Sequence, residues 1–264
     1  MRRTLVGVVL FAMAVALGAS WVVRSRDRGT PPVISLAEPS IPVHTTTTET
    51  EREPPVTGES HAQSDPDPCD LRIDASVSTI GPGQVGPGDL VCLEAGTRGP
   101  LDIEGISGTE ERPIVFVNDG GVTVVEGDHG DYAGIDLSNS SHLVVTGTGS
   151  ERRCGAAVEV SEQRCGIVIR GTGRGVAATE RSDRISVDHV EISGTSHSGI
   201  FIKSGADEGV HRDEWFQSDT RVVDNYVHDV GKEGLYIGSS FYSEGEDPVL
   251  VRVDTSRNLI VESG

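Results

Sequence analysis

Four glycines each open a nearly identical phrase in this chain: "GIDLSN" from Gly134, "GIVIRG" from Gly166, "GIFIKS" from Gly199 and "GLYIGS" from Gly234. They stand 32, 33 and 35 residues apart. Self-similarity at such a period marks a stacked repeat, in which each unit buries its apolar side only against its neighbours. Between the phrases run "HLVVTG" from His142, "RISVDHVEISG" from Arg184, "TRVVDNYVHDVG" from Thr220 and "VRVDTSRNLIVESG" from Val251. These are rich in β-branched residues and alternate in polarity, which is strand chemistry. No leucine frame and no helix-length segment follows Val23, so leucine-rich and helical repeats fail.

A coil of short parallel strands satisfies the pattern. Each turn lays its strands beside those of the turn before, with alternate residues pointing inward. In "GIFIKS", Ile200 and Ile202 are expected in the core, with Phe201 and Lys203 outside. Glycine supplies the backbone freedom for a sharp corner ahead of the strand. Asp188, Asn225 and Asn258 each stand six residues before a glycine. Such side chains bond nearby backbone at bends, and stacked turn on turn they would form a polar ladder.

These phrases, together with "GPGDLVCLEAGTRGPLDIEGISGTEERPIVFVNDGGVTVVEG" from Gly86 to Gly127, resemble the right-handed parallel β-helix of the pectate-lyase-like superfamily. The opening is similar to that of alginate-lyase and chondroitinase-B-type members. The resemblance covers Cys69 to Gly264 and implies an all-β solenoid. It also implies that later turns are missing or covered by a partner, because Gly264 falls where another strand would begin. The same coil carries lyases, hydrolases, epimerases and non-enzymatic surface proteins, so it leaves the activity open. The N-T-D, D-D and G-H-G phrases of polygalacturonase-type hydrolases are missing, and no pectate-lyase-type calcium cluster is recognisable. "GPGQVG" from Gly81 fits a nucleotide-loop pattern, but it contains Pro82 and opens no helix, so it reads as turns.

Ahead of the coil, "MRR", an apolar run from Thr4 to Val23 and "RSRDR" read as an export signal. Residues 1–23 are either a cleaved signal peptide or an N-terminal membrane anchor, since about 20 apolar residues also span a bilayer. Residues 24–68, dominated by Pro, Thr, Ser and Glu, cannot build a core and form a linker. Four cysteines in an exported chain suggest two disulfides, and neighbour pairing, Cys69–Cys92 and Cys154–Cys165, closes short loops. The net charge of −19 over 264 residues argues against nucleic acid, whose affinity comes from cations on phosphates. It gives no reason to dock on an anionic membrane beyond the N-terminal segment. It is compatible with calcium.

Outward residues at one strand position line up in columns. The four phrases place Asp136, Val168, Phe201 and Tyr236 in one column, and Ser138, Arg170, Lys203 and Gly238 in the next. Aromatic rings beside Arg and Lys are what an acidic polysaccharide requires, since rings stack on sugars and cations pair with carboxylates. The corner "VHDVGKEG" would overhang the same groove, with His228 as a general base and Lys232 neutralising charge. His197 falls at the equivalent corner one turn earlier, so the two histidines are expected to stack. The insertion from Ala206 to Asp219 supplies carboxylates for calcium, without the order of a dedicated loop, and Trp215 as a sugar platform or a loop anchor. The expectation is an exported β-helix protein engaging an acidic polysaccharide. If it is catalytic, the chemistry is β-elimination on a uronate: Arg170 neutralises the carboxylate, Lys203 or His228 takes the C5 proton, and Phe201 and Tyr236 hold the rings. The alternative is a non-catalytic envelope or adhesion protein using the same coil.

Overall fold

The computed structural model describes residues 68–149, 153–241 and 244–263. The N-terminal segment 1–23 and the linker as far as residue 67 lie outside these residues. Among the described residues no helix is long and apolar enough to cross a membrane.

The described residues wind as a parallel β-helix, as the repeat predicts, with almost every element a strand. It opens with β1 (Leu71–Ile73), β2 (Thr79–Ile80) and the long β3 (Leu90–Arg98), then β4 (Leu101–Glu104) and β5 (Ile114–Glu126). Two coils follow, β6 (Ile135–Ser138), β7 (Ser141–Thr146), β8 (Ile167–Arg170), then β9 (Val176–Thr179), β10 (Asp183–Asp188), β11 (Val190–Ser193). The last two are β12 (Ile200–Ile202), β13 (Phe216–Val223), β14 (Tyr226–Val230), then β15 (Leu235–Ile237), β16 (Val249–Asp254), β17 (Leu259–Ser263). Each coil contributes one strand to a smaller sheet, ordered β15-β12-β9-β6-β4-β2, and one bent strand or two strands to a larger sheet. All strand pairs are parallel, each strand bonding its counterpart one coil away.

Alternation decides what is buried. Leu101 and Ile103, Ile135 and Leu137, Val176 and Ala178, and Ile200 and Ile202 all point into one continuous core with Phe116, Ile167, Ile169 and Ile192. Each fully buried aliphatic side chain of this kind stabilises by roughly 1.5–3 kcal/mol. Cys69 is bonded to Cys92 and Cys154 to Cys165, the second pair closing an insertion between β7 and β8.

The register corrects the four-phrase repeat. Gly166 opens β8, which pairs with β5 and β11 in the larger sheet. The phrase that belongs between Gly134 and Gly199 is "GVAATE" from Gly175, so the smaller-sheet column is Gly134, Gly175, Gly199 and Gly234. These glycines are not needed for backbone freedom, since none has a positive φ. They are needed for room. A Cβ on Gly175 would stand 2.5 Å from the Gly199 carbonyl oxygen and from Ile192 Cγ2, and one on Gly199 2.5 Å from Val227 Cγ1. The smaller sheet turns its corner directly against the inward side chains of the larger one.

The polar ladder is shorter than the spacing suggests. Asn225 Oδ1 accepts the Val190 amide at 3.0 Å, while its Nδ2 donates to Val187 O and to Asn258 Oδ1, each at 3.0 Å. Asn258 Nδ2 donates in turn to Val222 O at 2.7 Å. Asp188 is not a rung: it lies on β10 opposite Val223 and accepts from Thr146 Oγ1. Val190 takes the place below Asn225 with its backbone alone. At another corner Ser140 and Ser182 form a second, serine ladder: Ile106 N–H bonds Ser140 Oγ and Ser140 N–H bonds Ser182 Oγ, both at 3.2 Å.

Candidate functional site

The outer face of the smaller sheet carries one column that runs Asp102, Asp136, Ala177, Phe201, Tyr236. Ala177 replaces the expected Val168, and Thr179 stands beside Ser138 where Arg170 was expected. Arg170 instead ends β8 in the larger sheet, in register with Ser193, and its Nε donates to Glu126 Oε1 at 2.6 Å. Arg170 and Lys203 therefore do not share a face. His228 is also on the larger sheet, opposite Ser193. Its ring stacks on Tyr226 with centroids 4.4 Å apart, and Nδ1 lies 2.6 Å from Asp229 Oδ2. It neither overhangs Tyr236 nor stacks on His197.

A corner column borders the sheet. Arg174 N–H bonds Tyr132 O at 3.0 Å, His197 N–H bonds Gly173 O at 2.8 Å, and Lys232 N–H bonds His197 O at 3.1 Å. These backbone rungs stack Tyr132, Arg174, His197 and Lys232 along the edge of the groove. Arg174 lies between two rings, its guanidinium carbon 4.3 Å from the Tyr132 centroid and 4.5 Å from that of Phe201. Phe201 stacks on Tyr236 on its other side, 5.1 Å between centroids. Phe201 is thus outward-pointing but covered, and Tyr236 is the ring left at the edge.

Two pockets lie on this face, and Arg174, which lines the first, packs on Tyr132, which lines the second. The first, of about 250 Å³, is lined by Arg174, His197, Phe201, Lys203, Lys232, Glu233, Tyr236 and Ser240. It gathers Lys203, Lys232, Phe201 and Tyr236 from the sequence reading and leaves out Arg170 and His228. Lys203 is only 4% exposed, and its Nζ donates to Asp207 Oδ1 at 2.9 Å. The expectation of a free surface lysine is corrected: the loop after β12 folds over it. The second pocket, of about 380 Å³, is acidic and is lined by Glu104, Tyr132, Asp136, Ser138, Thr179, Glu180 and Glu208. Burial there, with Asp102 and Glu180 alongside, pushes the Asp136 carboxyl up to about 6. Burial pulls the His197 imidazole below its ordinary value, helped by Arg174 and Lys232 and opposed by Glu233.

The carboxylates of the insertion do not converge on a common point. Asp207 holds Lys203, Glu208 accepts the Glu180 amide at 3.1 Å, and Glu214 lies 3.7 Å from Arg181. Cys69, Cys92 and Asp119 stand close together, but both sulfurs are tied in a disulfide and offer no thiolate to a metal. Trp215 lines a different pocket, with Asp183, Arg184, Arg212 and Phe216.

Sequence reasoning missed Tyr132 and Arg174. The signal was available: Tyr132, His197 and Lys232 each stand two residues before a column glycine and Arg174 one before, once Gly175 replaces Gly166.

No protein-family model and no curated protein matches this chain. A solved structure of an alginate lyase from Paenibacillus sp. str. FPU-7 is similar at 18% identity and a TM-score of 0.40, over 63% of this chain and 51% of that one. The chain spans about half the length of that lyase. A likeness this slight transfers neither site nor chemistry.

Proposed function

We propose that this chain is an exported β-helix protein that engages an acidic polysaccharide along the outer face of its smaller sheet. The observation that carries the reading is the convergence of Arg174, His197 and Lys232 around one pocket edged by Tyr236, on a chain of net charge −19. A local cluster of nitrogen side chains against that background selects carboxylate- or sulfate-bearing ligands. The pocket is below the roughly 300–1,000 Å³ of sites that enclose a whole small molecule, which suits one unit of an extended chain. Export follows from the N-terminal apolar run and is supported by two disulfides.

In a uronate, Arg174 takes the carboxylate-neutralising part first given to Arg170, with Lys232 beside it. The adhesion reading is favoured by one observation, the capture of Lys203 by Asp207, which removes the obvious lysine base. Calorimetric titration of the full chain with mannuronate, guluronate, galacturonate and chondroitin oligomers, and with a neutral glucan, tests the proposal. Acidic oligomers should bind, Lys232→Ala should weaken them, and Arg170→Ala should not. Equal binding of the neutral glucan, or a larger loss from Arg170→Ala than from Lys232→Ala, would remove the smaller-sheet groove from consideration.

A further inference from the structure

The contacts of Ser198 point to the nitrogen of His197 that bears the proton. Its side chain is fully buried, and its hydroxyl donates to Glu233 Oε2 at 3.2 Å; an ionised carboxylate only accepts. The same Oγ lies 2.7 Å from His197 Nδ1, so there it accepts, and Nδ1 carries the hydrogen. The lone pair of the neutral ring is therefore on Nε2, which has no hydrogen-bond partner among the described residues. Nearby stand Arg174 and Lys232 on the corner column, Glu233 behind Ser198, the Lys203–Asp207 pair and the edge-on ring of Phe201, 6.3 Å from the imidazole.

We propose that His197 Nε2 is the proton acceptor of this pocket and the base for β-elimination on a bound uronate, with Ser198 and Glu233 as positioning residues. The inference rests on the acidic-polysaccharide reading above. It replaces Lys203, which is covered and ion-paired, and His228, which is on the other sheet. Arg174 and Lys232 hold the uronate carboxylate and stabilise the negative charge that develops as C5–H breaks. The proton passes to Nε2, and its electron pair becomes the C4=C5 double bond. The C4–O bond breaks with its pair on the glycosidic oxygen, which takes a proton from water. The imidazolium then returns its proton to solvent, and no oxidant or reductant takes part. Burial, with Arg174 and Lys232 beside it, holds the His197 imidazole below its ordinary value, which favours the neutral ring that a base requires.

The full chain, with His197→Gln, Glu233→Gln and His228→Gln variants, is assayed on the same uronate oligomers for binding and for ultraviolet absorbance of the unsaturated product. His197→Gln should lower the rate by about 100-fold or more while affinity stays within about threefold. Glu233→Gln removes a charge that favours the imidazolium, so the acid limb of the pH–rate profile should move to lower pH. His228→Gln should change neither readout. Nitrogen NMR of the wild-type histidine rings gives an independent check that needs no variant to fold: His197 should be the Nδ1–H tautomer. Product formed at the wild-type rate by His197→Gln, or an Nε2–H tautomer, overturns the assignment. Binding without product from the wild type across the panel overturns the base and leaves the groove reading standing; no binding of any acidic oligomer overturns both.

Discussion

Phe201 and Tyr236 occupy neighbouring strands in register, their rings inclined by 23° with centroids 5.1 Å apart. With Arg174 on the far side of Phe201 and Tyr132 beyond it, four side chains from four coils form one stack. Phe201 is 9% exposed, so it behaves as a core residue of the outer face. Phe201→Ala should cost about 3 kcal/mol in urea unfolding and should loosen Arg174. A loss of no more than about 0.5 kcal/mol, the level of a surface substitution, would show that the stack contributes nothing.

The column glycines are held by space. Gly199→Ala forces a methyl against Val227 and against the Gly234 carbonyl, 2.6 Å away, and should destabilise by about 1–3 kcal/mol. Gly86 has open space around it and no positive φ, so Gly86→Ala should stay within about 0.5 kcal/mol of wild type. Equal thermal midpoints for the two variants would contradict the close approach.

Asp136 makes the acidic pocket pH-sensitive. Its folded-state value, about 6, stands above its ordinary 3.8, so the folded protein binds this proton more tightly than the unfolded chain. The stabilisation is complete below 3.8 and is lost as the pH rises through about 6. Asparagine cannot ionise. Asp136→Asn should therefore gain on the wild type as the pH is raised from acid to neutral, measured as the difference in urea midpoints. A difference that is flat with pH would refute the shift.

Asn225 is fully buried and joins three coils through Val187, Val190 and Asn258. Asn225→Ala leaves the buried Val190 amide without its acceptor and should cost roughly 1–3 kcal/mol. Asp188→Asn, outside the ladder, should cost less. The reverse order in chemical denaturation would restore Asp188 as the rung.

Lys203 behaves as a structural cation. Asp207→Ala strips its partner while the ammonium stays covered, and should destabilise more than Lys203→Met, which removes the charge and keeps the stem. If Lys203→Met proved the more harmful of the two by thermal unfolding, the ammonium would have a role beyond this pair.

The strand type, the parallel coil, the inward positions Ile135, Leu137, Ile200 and Ile202, and the cysteine neighbours were legible in the chain because each is local: period-two alternation and short separations carry them. The composition of the site was not. Gly166 reads as a better repeat than Gly175, whose phrase has Ala177 and Ala178 where the others have larger side chains. Yet Gly175 is the one hydrogen-bonded into the smaller sheet, through its amide to Gly199 O. Which strands become neighbours depends on insertion lengths: steps of 41, 24 and 35 residues separate Gly134, Gly175, Gly199 and Gly234. Two faces with the same alternation are indistinguishable until interstrand hydrogen bonds fix the register, and a one-phrase error carried Arg170 and Val168 onto the wrong sheet. Likewise, nothing local in "GIFIKS" tells that the chain after it turns back over Lys203. Exposure there is set by a loop packing on a strand, and the grouping of Tyr132, Arg174, His197 and Lys232 by backbone bonds between coils, both of which exist only once the coil is wound.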